Sequence, residues 1–191
     1  TSGNYVYWLQ NVPCFITDSD QMNVEDNIWN FSSYPSYLTN QSVTGNGSVF
    51  ASSKSYYYAY ETPLQSYSLP LSLRIYTYFS YTSSAVYVYF GYLLGSSSSI
   101  TWYDKVTIHE SGVTRASLLV NGYTYTPINT FYDSELVFGG FGDGEKTNFT
   151  QMDASLNMYY LLPNGSVILP PEIYGFGSDT AEAADDLSTY L

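Results

Sequence analysis

Basic side chains are scarce in this chain: Lys and Arg together number five against seventeen Asp and Glu, a formal net charge of −12. Holding a phosphate backbone takes clustered Lys and Arg, and no such cluster exists, which excludes nucleic acid as a partner. The single cysteine, Cys14, rules out a disulfide within the chain and reads as a small buried hydrophobe. The single histidine is His109. A zinc site around it would have to be completed by carboxylates or the lone thiol, a poor match to zinc, and a Ser-His-Asp triad would fail in acid, where imidazole is protonated. There is no Gly-x-Ser-x-Gly elbow, and the glycines of 139–145 are not followed by Lys-Ser or Lys-Thr. Asp143, Glu145 and Asp153 fit the spacing of no calcium loop, so neither metal nor cofactor is expected. No apolar run is long enough to cross a bilayer as a helix and no signal peptide is visible, so the residues read as a mature or trimmed product.

What replaces charge is uncharged polarity. Only 12% of residues are charged, while Tyr number 23 and Phe 10. A phenol stays neutral and hydrogen-bonding at any pH below about 10, so a tyrosine-rich surface is insensitive to acid. In strong acid the carboxylates are mostly protonated, leaving Lys54, Arg74, Lys105, His109, Arg115 and Lys146 as the positive side chains, and self-repulsion stays modest. This suits an acidic exterior. Sequons at Asn30, Asn40, Asn46, Asn148 and Asn164 fit an exported protein carrying N-linked glycans.

Aromatic or β-branched residues alternate with small polar ones in Tyr5 to Val12, Leu71 to Tyr78, Ala85 to Tyr92 and Ala116 to Tyr125, the period of strands. Turn signals separate them, among them Gly45-Asn46-Gly47, Asn121-Gly122 and Pro163-Asn164-Gly165. The pattern predicts an all-β fold, a single β-sandwich domain over 1–191 of jelly-roll or concanavalin-like type. Helix is expected at most near the C-terminus, over Asp179 to Leu191.

Three places could carry chemistry. In Phe131 to Glu145, Asp133 and Glu135 leave one face of a strand while Leu136 and Phe138 leave the other, and a glycine-rich turn comes next. In Tyr5 to Val12, Gln10 shares a face with Val6, Trp8 and Val12, an amide in an otherwise apolar row that needs a partner. In Val24 to Phe31, Asp26 shares a face with Ile28 and Asn30, and Glu25 sits with Trp29 and Phe31. Taken alone, each of these also reads as a structural or solvated position.

Several ordered blocks resemble the thermopsin family, secreted acid endopeptidases of archaea: Tyr7-Trp8-Leu9-Gln10-Asn11-Val12, Asp26-Asn27-Ile28-Trp29-Asn30-Phe31-Ser32, Asp133-Ser134-Glu135-Leu136-Val137-Phe138-Gly139-Gly140 and Gly175-Phe176-Gly177-Ser178-Asp179. The resemblance implies hydrolysis of polypeptide substrates at apolar or aromatic positions, in hot acid outside the cell. The Asp-Thr-Gly and Asp-Ser-Gly motifs of pepsin-like enzymes do not occur, so their mechanism does not carry over and two options stand. One option is a carboxylate pair sharing a proton, Glu135 with Asp133 or Asp26. The other is a dyad in which Glu135 activates water and Gln10 donates to the oxyanion, similar to the fungal glutamic peptidases. The dyad is preferred, since it uses the oddly placed amide and needs one ionised group. The competing class is a non-catalytic extracellular binding or surface-structural β module, which accounts for the composition but not for the ordered blocks. An acid glycoside hydrolase with paired carboxylates is a third class.

Overall fold

Among the described residues, nine strands form where bulky and small polar residues alternate in the first of two units into which the chain divides, Thr1–Ser117 and Leu118–Leu191. The computed structural model describes residues 5–118 and, beyond them, 153–155, 157, 159–162 and 164–168. In the first unit the strands are β1 (Tyr7–Ile16), β2 (Gln21–Asn30), β3 (Val43–Thr44), β4 (Ser48–Ser52), β5 (Ser55–Glu61), β6 (Gln65–Ser66), β7 (Leu73–Tyr81), β8 (Ala85–Leu94) and β9 (Thr101–His109). They build two antiparallel sheets, one in the order β1-β2-β5-β4 with β6 also paired to β2, the other in the order β3-β9-β8-β7. This is the all-β sandwich that the alternation predicts. Among the described residues there is no helix; Asp179 to Leu191 lies outside them.

Period-two alternation decides which side chains meet between the sheets. From the first sheet come Tyr7, Leu9, Met22, Val24, Ile28 and Tyr58, and from the second Val88, Phe90, Val106 and Ile108. Met22, Val24, Ile28, Tyr58, Phe90 and Val106 are completely buried, each such side chain contributing about 1.5–3 kcal/mol by leaving water. The register of β1 on β2 sets Asn11 opposite Asp26 on this inner face and Gln10 opposite Asn27 on the outer one.

A bulge interrupts the second sheet. Where β8 pairs with β9, Phe90 faces Asp104 but Gly91 faces Trp102, so Tyr103 is an extra residue. The bulge turns Tyr103 and Asp104 inward together, both buried, while Trp102 and Lys105 stay exposed.

The strand expected over Tyr5 to Val12 runs from Tyr7 to Ile16, and that over Leu71 to Tyr78 runs from Leu73 to Tyr81. Of Ala116 to Tyr125, the first three residues are not in a strand and the rest lie outside the described residues. In the second unit β10 (Tyr160–Leu161) pairs with β11 (Val167–Ile168). The expected turn lies between them: the Asn164 side chain accepts from Ser166 N at 2.9 Å, and Gly165 takes φ +82°, a conformation glycine adopts without strain.

Candidate active site: two acid pairs on one strand

Glu25 and Asp26 are neighbours on β2, so their side chains leave opposite faces of the sheet, and each meets another acid. On the outer face Glu25 stands opposite Glu61 of β5. Residues in such register have Cβ atoms about 4.5–5.5 Å apart, so the two carboxyls repel when both are ionised. Partial burial, followed by the Glu61 charge, pushes the Glu25 carboxyl up, against a hydrogen bond from the Asn27 side chain that pulls it down. Glu61 is exposed and accepts a hydrogen bond from the Asn23 amide. Glu25, Asn27, Ser48, Phe50, Tyr57 and Glu61 line an open depression in this face.

Beside the depression runs a row of aromatic rings. Phe31 packs on Trp8 with centroids 5.4 Å apart, Trp8 on Trp29 at 6.5 Å, Trp29 stacks on Tyr57 at 4.3 Å and 11°, and Phe50 closes on Tyr57 at 6.1 Å. These rings are half-buried, with Phe50 exposed. The face therefore offers flat apolar surface on one side and acids and amides on the other.

On the inner face Asp26 meets Asp104 of β9. Asp26 is 0% and Asp104 2% exposed. Asp104 is well supplied with donors: Tyr58 Oη donates to Oδ2 at 2.5 Å and Asn46 N to Oδ1 at 2.9 Å. Neither oxygen of Asp26 receives a donor among the described residues. The group within hydrogen-bonding reach is the Asp104 carboxyl, itself an acceptor, and the contact becomes a hydrogen bond once one of the two holds a proton. Burial first, then the Asp104 charge, pushes the Asp26 carboxyl up to about 8. The loop between β3 and β4 closes over Asp104. Gly45 and Gly47 permit it: a Cβ at Gly45 would lie 2.2 Å from Tyr58 Oη, and one at Gly47 would lie 2.0 Å from the Ala59 carbonyl oxygen.

Of the residues singled out from the sequence, Asp26 is placed inward with Ile28, as the alternation predicts. Gln10 lies on the outer face, half-buried, one residue pair from Glu25 and about 7–8 Å from it on the diagonal. The amide that finds partners in the interior is instead Asn11, which donates to Tyr76 O at 2.9 Å and accepts from Tyr103 Oη at 2.9 Å. Glu135 and Asp133 lie outside the described residues, as does Asn148. Of the other sequons, Asn40, Asn46 and Asn164 are exposed and Asn30 is half-buried. Cys14 is half-buried rather than buried, and desolvation, with Glu25 and Glu61 adding, pushes its thiol up to about 11, which keeps it a neutral thiol. His109 is on the surface, 3.1 Å from Thr44 Oγ1. Among the described residues no cluster of His, Cys, Asp and Glu could hold a metal ion, and no helix is long and apolar enough to cross a membrane.

Asp104 and Glu61 are the partners that sequence reasoning misses. Glu61 ends a tyrosine-rich strand with no motif around it, and its pairing is a matter of register. Asp104 does carry a signal: in Tyr103-Asp104-Lys105-Val106-Thr107-Ile108 the apolar alternation runs through Asp104, Val106 and Ile108.

Among the described residues this is an antiparallel β-sandwich in which two acids of one strand, Glu25 and Asp26, each meet another acid. The thermopsin family model matches residues 1–187, and the chain belongs to that family. It is 40% identical over 197 residues to thermopsin of Sulfolobus acidocaldarius; the match takes in this whole chain and 58% of that protein. No solved structure matches.

Proposed function

We propose that this protein is a secreted acid endopeptidase that cleaves polypeptides with a pair of carboxyl groups. The observation that carries the reading is Glu25 facing Glu61 across two strands, in a depression open to solvent and flanked by amides and aromatic rings. Family membership supports peptidase chemistry, and the low-charge, tyrosine-rich composition supports an acidic setting outside the cell.

Two opposed carboxyls favour a state with one proton between them. Glu25, the more desolvated, keeps it and acts as acid; Glu61 acts as base. The Glu61 carboxylate takes a proton from water as the water oxygen bonds to the scissile carbonyl carbon, while Glu25 gives its proton to the carbonyl oxygen. Collapse of the tetrahedral adduct breaks the C–N bond, with the proton on Glu61 passing to the leaving amine and one hydroxyl of the adduct returning its proton to Glu25, which restores both carboxyls to their starting states. The amides of Gln10 and Asn27 are donors that polarise the scissile carbonyl as it takes the proton from Glu25. The aromatic row takes apolar or aromatic side chains of the substrate. Glu135 with Gln10 is the rival catalytic pair, with Asp133 or Asp26 as its alternative partner.

Hydrolysis of an acid-denatured protein by Glu25→Gln, Glu61→Gln and Glu135→Gln separates these assignments. Losses of two or more orders of magnitude in the first two, with circular dichroism unchanged, are expected. Near-normal turnover by both, with activity lost in Glu135→Gln, moves the chemistry to that residue. The aromatic face formed by the exposed Tyr78 and Trp102 and the half-buried Tyr76 and Tyr89, with Lys105 over the Tyr89 ring at 5.2 Å, favours a second reading as a binding module. Wild-type protein that leaves the substrate intact in acid would decide for it.

A further inference from the structure

The inner acid pair has no part in the proposed catalysis, and it is buried where β2 of one sheet meets β9 of the other. The polar side chains of Asn11, Tyr58 and Tyr103 around Asp26 have their hydrogen bonds directed elsewhere. From β1, Asn11 donates to Tyr76 O and accepts from Tyr103. From β9, the Tyr103 hydroxyl is turned to Asn11 Oδ1 and Glu25 O, at 2.9 and 3.0 Å. From β5, the Tyr58 hydroxyl is held by Asp104 and Gly47 N, and the Tyr60 ring stacks on Tyr103. From β8, Phe90 offers hydrocarbon. The charges acting on Asp26 among the described residues are Asp104 and Glu25, both negative, with no basic side chain beside them.

We propose that Asp26 and Asp104 form a one-proton lock between the two sheets, a proton on Asp26 bridging to Asp104 in acid and its loss at higher pH parting β2 from β9. With three neighbouring polar groups already committed, Asp26 has to supply the bridging hydrogen itself. Asp104, receiving two other hydrogen bonds, is the natural acceptor. When the proton goes, two buried anions face each other with no counter-charge, which a low-dielectric interior does not tolerate. Asp26 holds its proton to about 8 when folded, against about 4 in an unfolded chain. The folded state therefore binds one proton more across that window, and the stabilisation is complete below about pH 4 and lost as pH rises towards 8.

The test is the unfolding equilibrium of the full chain in urea, measured from about pH 3 to pH 8 for wild type and for Asp26→Asn. Wild type is expected to lose stability with a slope of about one proton, a tenfold fall in the folded-to-unfolded ratio per pH unit. Asp26→Asn, whose amide donates to Asp104 at every pH, should flatten that slope. A slope unchanged in Asp26→Asn overturns the proposal. Should that variant fail to fold, infrared spectra of the wild type decide: a protonated-carboxyl band persisting at about pH 6, where ordinary side-chain acids are ionised, supports the lock, and its absence refutes it.

Discussion

Removing one oxygen atom, by Tyr58→Phe, tests whether the interior polar network is as tightly committed as its geometry implies. The Tyr58 ring is completely buried, and phenylalanine would fill the same space, so the packing contribution is kept. What goes is a 2.5 Å hydrogen bond to Asp104 and a 2.7 Å bond accepted from Gly47 N. A hydrogen bond to a charged acceptor contributes about 1.5–3 kcal/mol, and a backbone N–H left without a partner in a part-buried loop adds on the order of 1 kcal/mol. The expected loss is therefore roughly 2.5–4 kcal/mol, a substantial share of the 5–15 kcal/mol typical of a whole domain. Urea unfolding in acid, followed by circular dichroism, should move the midpoint down by about 1–2 M with the slope unchanged. A loss below about 0.5 kcal/mol would mean that water or a rearranged loop replaces both bonds, and the picture of a sealed, fully committed interior would be wrong.

The β3–β4 loop should resist enlargement: Gly45→Ala puts a methyl 2.2 Å from Tyr58 Oη and 3.0 Å from Asp104 Oδ1, and about 1–3 kcal/mol of destabilisation is expected, read as a fall in Tm of several degrees. An unchanged Tm would show the loop to be loosely held. Trp29→Ala removes the ring stacked on Tyr57 at 4.3 Å and should raise KM for an aromatic-rich substrate severalfold while leaving kcat within about a factor of three. A fall in kcat alone would argue against a binding role for the aromatic row. Asn11→Ala takes away the Tyr103 acceptor and the bond to Tyr76 O, for a loss of about 1–3 kcal/mol by chemical denaturation.

The sandwich was legible because alternation is a local property, and β1, β2, β7 and β8 each display it over nine or ten residues. It also assigned Asp26 and Glu25 to opposite faces correctly. What it left open was which face of β1 lies inward, since Trp8-Gln10-Val12 and Tyr7-Leu9-Asn11 are comparably apolar; register with β2 decides for the second. Partnerships across strands were not legible. Glu61 opposes Glu25, and Asp104 reaches Asp26 through a bulge that breaks the period at Tyr103, and both depend on contacts distant in sequence. A pair of acids in the core, Asp26 with Asp104, also departs from the general rule that carboxylates lie outside.

Because Glu25 and Asp26 are consecutive, the thickness of one peptide unit separates the sealed interior from the open face. Tyr103 donates to the carbonyl of Glu25, so the backbone there is fastened from within. A rotation of this stretch about the strand axis carries both side chains with it, and because they leave opposite faces they swing in opposite directions. On the proposed lock, the proton held in the core and the carboxyl on the open face therefore share one stretch of backbone, with no relay of side chains between them.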